Sequence, residues 1–176
     1  DALTVHSVTA QHQLFQRHSD LADGLESGAP GRLLHLILAG RLTEVPHEAL
    51  AAARRLHAEG DDHEASAALF EAWVVLREEE PEAALERELL SLWTRVALAQ
   101  HDLRPLVRLQ HALASTAAGD PELEGLSGLV QIALTMQLTD GERSLERIEE
   151  LAPFADEELE CLRLSHAVLA ARYAPI

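Results

Sequence analysis

The stretch LHAEGDDHEASAALFEA, residues 56–72, decides the fold. Gly60 separates two runs of strong helix formers, and Asp61-x-x-Glu64 behind it reads as a capping box that opens a second helix. Ala65, Leu69 and Ala72 then follow in an Ala-x3-Leu-x2-Ala spacing that lines one helical face. The whole reads as two antiparallel helices joined by a tight turn.

The same grammar extends outward in both directions. Toward the C-terminus, the capping box predicts a helix over 62–78, Pro81 opens one that reaches Ala99, and Pro105 to Ala117 makes another. Gly119-Asp120-Pro121 stops that helix and caps the next, over 121–138. Asp140-Gly141 turns into a helix over 142–151, Pro153 breaks, and Asp156 caps a last helix to Tyr173. Toward the N-terminus, Pro46 to Glu59 is a helix. Leu33 to Leu38 reads as a short buried helix ended by Gly40, and Ser27 to Gly31 is a loop. Leu3 to His6 reads as a short strand or extended lead-in, with Ser7 capping a helix to about Leu21. The expected organisation is a lead-in over 1–27 and a helical domain over 28–176.

Composition agrees with an all-α chain. Apolar residues are 47% of the sequence and aromatic residues 3%, with Ala and Leu dominant, so helix formers abound and strand formers are scarce. The chain carries 30 acidic against 14 basic residues, net −16. Such a surface lacks the basic face that nucleic-acid binding needs, and it repels anionic membranes. All of the basic residues are Arg, which excludes lysine Schiff-base and P-loop chemistry. One cysteine, Cys161, forms no internal disulfide and is expected in a helix core. No apolar run is long enough to span a membrane and no secretion signal opens the chain, so a cytoplasmic location is expected. The first residue is Asp1 rather than Met, which reads as a processed chain or a piece of a longer one.

The helix pairs resemble tetratricopeptide repeats. In the first copy the motif positions fall to Ala53, Leu56, Gly60, Ala65, Leu69 and Ala72. In the second they fall to Leu92, Trp93, Val96, Gln100, Pro105, Leu109 and Ala112. In the third they are Ile132, Thr135, Thr139, Ser144, Ile148 and Leu151. The period is about 40 residues against roughly 34 for the standard repeat, and Trp93 stands where the motif has a small residue. The resemblance covers about 45–174. It implies antiparallel helix pairs stacked as a right-handed solenoid, whose first helices line a concave groove. An irregular α-bundle is the competing architecture. Leu3 to Val8 with its following helix also resembles the end of a winged-helix unit. In maltose-regulator-type bacterial transcriptional regulators such a unit precedes helical repeats, which implies transcriptional control by effector binding.

On that alignment the groove is lined by His47, Leu50, Arg54 and His57, by Arg87, Leu90, Thr94 and Leu98, and by Leu126, Leu129, Ala133, Met136 and Gln137. Arg54 and Arg87 suit a carboxylate or phosphate, and the Leu and Met positions an apolar ligand. The expected function is a non-catalytic binding module for a protein or peptide partner, or for a small anionic effector, within a larger bacterial regulatory or signalling protein. Competing roles are open: the arginines pairing with local Glu59 or Glu86, and the leucines packing as core.

No catalytic constellation is present. The histidines at 6, 12, 18, 35, 47, 57, 63, 101, 111 and 166 include no pair at i, i+4, so no metal or other cofactor is expected. There is neither a nucleophile elbow nor a phosphate loop. Acidic clusters at 78–82, at Glu146 with Glu149 and Glu150, and at 156–160 read as solvated surface, or else as a docking patch for a basic partner. The last helix carries Leu159, Leu162, Leu164, Val168 and Leu169, which need cover. A stand-alone scaffold that homodimerises through its end helices is therefore the alternative function.

Overall fold

The computed structural model describes residues 2–78, 82–100, 102–137 and 141–173. Among them every regular element is helical. Pro81, Glu79, Glu80, His101, Thr139 and Asp140, each invoked above, lie outside the described residues. The helices are α1 (Ala2–Asp23), α2 (Arg32–Leu38), α3 (Val45–Glu59), α4 (Asp62–Glu78), α5 (Ala83–Ala99), α6 (Leu103–Thr116), α7 (Pro121–Gln137), α8 (Gly141–Glu150) and α9 (Glu157–Tyr173). A single 3-10 turn, Leu42–Glu44, leads into α3.

The chain divides into two compact units, residues 1–86 and 87–176. Across the boundary expected at 27/28, Ala22 of α1 is buried with Leu36 of α2 and Val45 of α3, and Leu33, Ile37, Leu42 and Val75 pack around them. The segment Leu3 to His6 is not a strand but the start of α1. No Gly or Pro interrupts the chain between Ala2 and Asp23, so a helix nucleated downstream propagates through the β-branched residues.

In the first unit, α3 and α4 form the expected hairpin. Gly60 closes α3 in the left-handed region at φ 82°. Its N–H donates to His57 O at 3.0 Å, and Asp61 N–H donates to Leu56 O at 2.8 Å, the paired bonds of a Schellman cap. Only half of the capping box forms: Asp61 Oδ1 accepts from Glu64 N at 3.4 Å, while the Asp61 N–H is already used by the cap. Ala53, Ala65, Leu69 and Ala72 are fully buried. A fully buried Leu contributes roughly 1.5–3 kcal/mol. The short α2 departs from its reading as a buried helix. Leu36 is buried, but Leu34 is 55% exposed and Leu38 40% exposed.

The second unit holds the largest buried side chain, Trp93 of α5, together with Leu89, Leu90, Val96 and Ala97. Here α6 packs on α7 and α8 on α9, and α7 also touches α8 and α9. Ile132, Ile148 and Ala170 join these last three helices, with Met136, Leu145, Leu151 and Ala167 around them. Asp120 and Asp156 cap their helices as expected from sequence, whereas α6 starts at Leu103 with Asp102 as its cap, ahead of the expected start at Pro105. Asp102 accepts from Arg104 N at 3.0 Å, Asp120 from Glu122 N at 3.0 Å, and Asp156 from Leu159 N at 3.0 Å. Cys161 is exposed rather than in the core, because α9 turns that position outward.

Candidate functional site

A groove of about 620 Å³ opens on the first unit between α2 and the α3–α4 hairpin. Two helical stripes form it. From α3 come Ala52, Arg55, Leu56 and Glu59, and from α4 come Glu64, Ala67, Ala68 and Glu71. Each set runs at i, i+3, i+4, i+7, the spacing of one helix face. Leu33, Leu34 and Ile37 of α2 make the opposite wall, and Ala29, Pro30 and Gly31 close one end. The groove exists because α2 is short. At 1.5 Å per residue its seven residues span about 10 Å, against about 22 Å for the fifteen of α3, so much of the hairpin face is left uncovered. The alanines keep the uncovered strip shallow and apolar.

The closing loop is fixed from behind. Glu48, 3% exposed, accepts from Gly28 N–H at 2.7 Å and Ser27 Oγ at 3.0 Å, and it pairs with Arg32. Arg32 Nε also donates to Ala22 O at 3.1 Å. Arg41 adds a second clasp, donating to Glu44 at 2.5 Å and 2.7 Å and to Asp23 at 2.5 Å. That guanidinium holds the Glu44 carboxyl below its usual range. The walls are thus pre-formed, as small-ligand and peptide sites usually are.

The polar groups of the groove are unevenly matched. Arg55 Nε is buried and has no hydrogen-bond partner among the described residues. Glu59, Glu64 and Glu71 stand exposed on the rim. One guanidinium among three carboxylates leaves the groove net negative.

The residues expected to line a site fall elsewhere. Leu90, Thr94 and Leu129 are fully buried in the second unit and present no surface; Thr94 Oγ1 donates to Leu90 O at 2.8 Å. Leu50, Leu98, Leu126 and Ala133 are buried as well. Met136 packs into the Ile132 cluster. These positions point inward because helices α5 and α7 are apolar on several faces, so core packing takes them. Arg87 pairs with Asp120 at 2.7 Å and 3.0 Å, and with Glu122 at 3.7 Å. It thereby braces the cap of α7, and the partner is not the neighbouring Glu86. His57 pairs with Asp62 across the hairpin turn. His47 and Arg54 are exposed on α3, but the groove uses the adjacent stripe, about 100° around the helix. None of the eight residues expected to bind a ligand, His47, Arg54, His57, Arg87, Leu90, Thr94, Leu129 and Met136, lines this groove.

The acidic run at 156–160 is also more than solvated surface. Asp156 and Glu158 pair with Arg95 at 2.7 Å and 3.5 Å, and Glu160 pairs with Arg163 at 2.5 Å. Among the described residues no group of three or more His, Cys, Asp or Glu is arranged to hold a metal. His18 and His35 approach as a pair, Nδ1 to Nδ1 at 3.1 Å. No described helix is long and apolar enough to cross a membrane. Comparison with protein families, with curated proteins and with solved structures finds no match for this chain.

Proposed function

We propose that the chain is a non-catalytic binding module that holds a segment of a partner protein in the groove between α2 and the α3–α4 hairpin. The observation that carries this reading is the pre-formed apolar trough with a buried, unpartnered Arg55 Nε in its lining. A buried donor left unsatisfied is costly, so a ligand that supplies an acceptor gains from the arrangement. The apolar residues supply contact area without directional demands, which suits a helix laid along the hairpin. The α3–α4 hairpin takes the part of a tetratricopeptide-like repeat, supported by its buried Ala and Leu positions and its Gly60 turn. Inside a larger bacterial regulatory protein, occupancy of the groove would be the signal that is passed on.

The test is selection of helical peptides from a random library on the intact chain, followed by binding to an Ala67→Trp variant. Ala67 is exposed, so the indole fills the trough without disturbing the core. Selected peptides are expected to lose at least tenfold in affinity. Peptides that bind the variant unchanged would refute the groove as the site.

A second role, self-association through the end helices, is supported by Leu164, Val168 and Leu169 exposed on α9 and Leu14, Phe15 and Leu21 exposed on α1. Light scattering across protein concentration separates the two, since groove binding needs no dimer.

A further inference from the structure

We infer that the occupant of the groove is a cationic amphipathic helix, and not an acidic segment or an anionic small molecule. The inference rests on the binding-module reading and specifies its ligand.

Charge placement carries it. Glu64 and Glu71 lie seven residues apart on α4, a rise of about 10.5 Å. A helix running alongside α4 repeats its own side chains at that same i, i+7 interval, so two basic residues on one edge of it meet both carboxylates together. Glu59 stands near Glu64 across the Gly60 turn, at the end of the groove where α3 gives way to α4. Among the described residues none of these three carboxylates has an ion-pair partner within the chain. Some of the acidic side chains elsewhere are occupied within the chain: Asp156, Glu158, Glu160, Asp120 and Glu44 are each met by an arginine. The groove rim is therefore a place where acidic charge is left for a partner.

The apolar lining fixes the other face of the occupant. Leu33, Leu34 and Ile37 stand opposite Leu56, and Ala52, Ala67 and Ala68 form a low floor between them. Large apolar side chains at i, i+3, i+4 and i+7 fill such a trough, and the small floor lets the helix backbone approach closely. Arg55 accommodates one acceptor on the occupant, which a helix offers in its terminal carbonyls. An anionic amphiphile would satisfy Arg55 but place its headgroup among three carboxylates. The chain's overall charge of −16 points the same way, because it attracts cationic partners and repels anionic ones at long range.

The experiment uses the intact chain and three probes. One is a fluorescein-labelled peptide of about 15 residues with Leu along one helical face and Lys on both flanks. The second has Glu in place of each Lys, and the third is dodecanoate. Fluorescence anisotropy of the Lys peptide is expected to report binding that weakens as salt rises. The Glu peptide should bind about tenfold more weakly or worse, since each rim pair is worth a factor of roughly 1.4–5. The Glu64→Gln/Glu71→Gln variant should lose severalfold for the Lys peptide and gain for the Glu peptide. Both side chains are exposed, so folding is unaffected, and circular dichroism checks this. Equal or tighter binding of the Glu peptide or of dodecanoate, abolished by Ala67→Trp, overturns the cationic partner while leaving the groove as the binding site. Absence of binding by all three probes overturns both.

Discussion

The carboxylate of Glu48, inside α3, accepts a hydrogen bond from the backbone N–H of Gly28 at 2.7 Å, twenty residues earlier in the chain. With Ser27 and Arg32 on its other oxygen, this one side chain ties the 27–31 loop and the start of α2 to the hairpin. The loop forms the closed end of the groove, so stability and site geometry share a residue. Glu48→Ala leaves the Gly28 donor unmet and Arg32 without its buried partner. Urea unfolding is expected to show a loss of about 3–5 kcal/mol, and Glu48→Gln a smaller loss. A change within about 0.5 kcal/mol for the alanine variant would remove Glu48 from this role.

Gly28 itself sits at φ 76°, and a Cβ there would lie 3.2 Å from the Ala51 carbonyl oxygen and 3.3 Å from its carbon. Gly60 has a similar φ of 82° but open space around it. Gly60→Ala is expected to cost about 1 kcal/mol from backbone strain alone. Gly28→Ala adds contact with α3 backbone that has no room to yield, so its cost should be greater by a further 1 kcal/mol or so. Thermal melts of the two variants side by side check the order; equal melting temperatures would contradict it.

Acid should weaken the second unit through Glu160. The Arg163 guanidinium, and then the Phe154 N–H at 3.0 Å, bring its pKa from the ordinary 4.5 to about 2. Because the folded value lies below the unfolded one, this stabilisation is complete above pH 4.5 and disappears as pH falls toward 2. Asp120, lowered by its hydrogen bonds from Arg87, acts in the same direction. Unfolding free energy should be flat above about pH 5 and decline below it, and Glu160→Gln should make that decline shallower. An unchanged slope in the variant would contradict this.

Two arginines should separate binding from stability. Arg87 braces Asp120 at the start of α7, so Arg87→Ala is expected to lower the melting temperature slightly and to leave peptide affinity unchanged. Arg55→Met keeps the apolar stem in the groove and removes the unpartnered donor. It should leave stability unchanged or raise it, and weaken peptide binding. Paired melts and anisotropy titrations read both effects, and a loss of peptide affinity in Arg87→Ala would contradict the assignment.

Local chemistry in the sequence was enough for most of the helices and turns, though not for the start of α1, which reads as extended. Gly60, Asp120 and Asp156 punctuate the chain where the structure does, because caps and left-handed turns are decided within a few residues. The burial of Ala53, Leu69, Trp93 and Leu109 follows the repeat-like spacing for the same reason. The groove was not legible at that level. Arg54 and Arg55 are neighbours with one side-chain chemistry, and which of them faces the ligand depends on where α2 ends. Glu48 reads as an ordinary acidic residue in a helix's first turn, favoured there by the dipole. Its burial comes from a loop distant in sequence. One signal was available: Ala52-Arg55-Leu56-Glu59 and Glu64-Ala67-Ala68-Glu71 both keep a single-face spacing that carries acidic residues, a pattern that core packing does not require.

The most direct measurement is an amide chemical-shift map of the intact, isotope-labelled chain titrated with the Lys-flanked amphipathic peptide. The largest shifts are expected at Ala29 to Ile37, Ala52 to Glu59 and Glu64 to Glu71, with Arg55 Nε–H among them. Shifts centred instead on Arg87, Leu129 and Met136, or no shifts at saturating peptide, would contradict a binding groove on the α3–α4 hairpin.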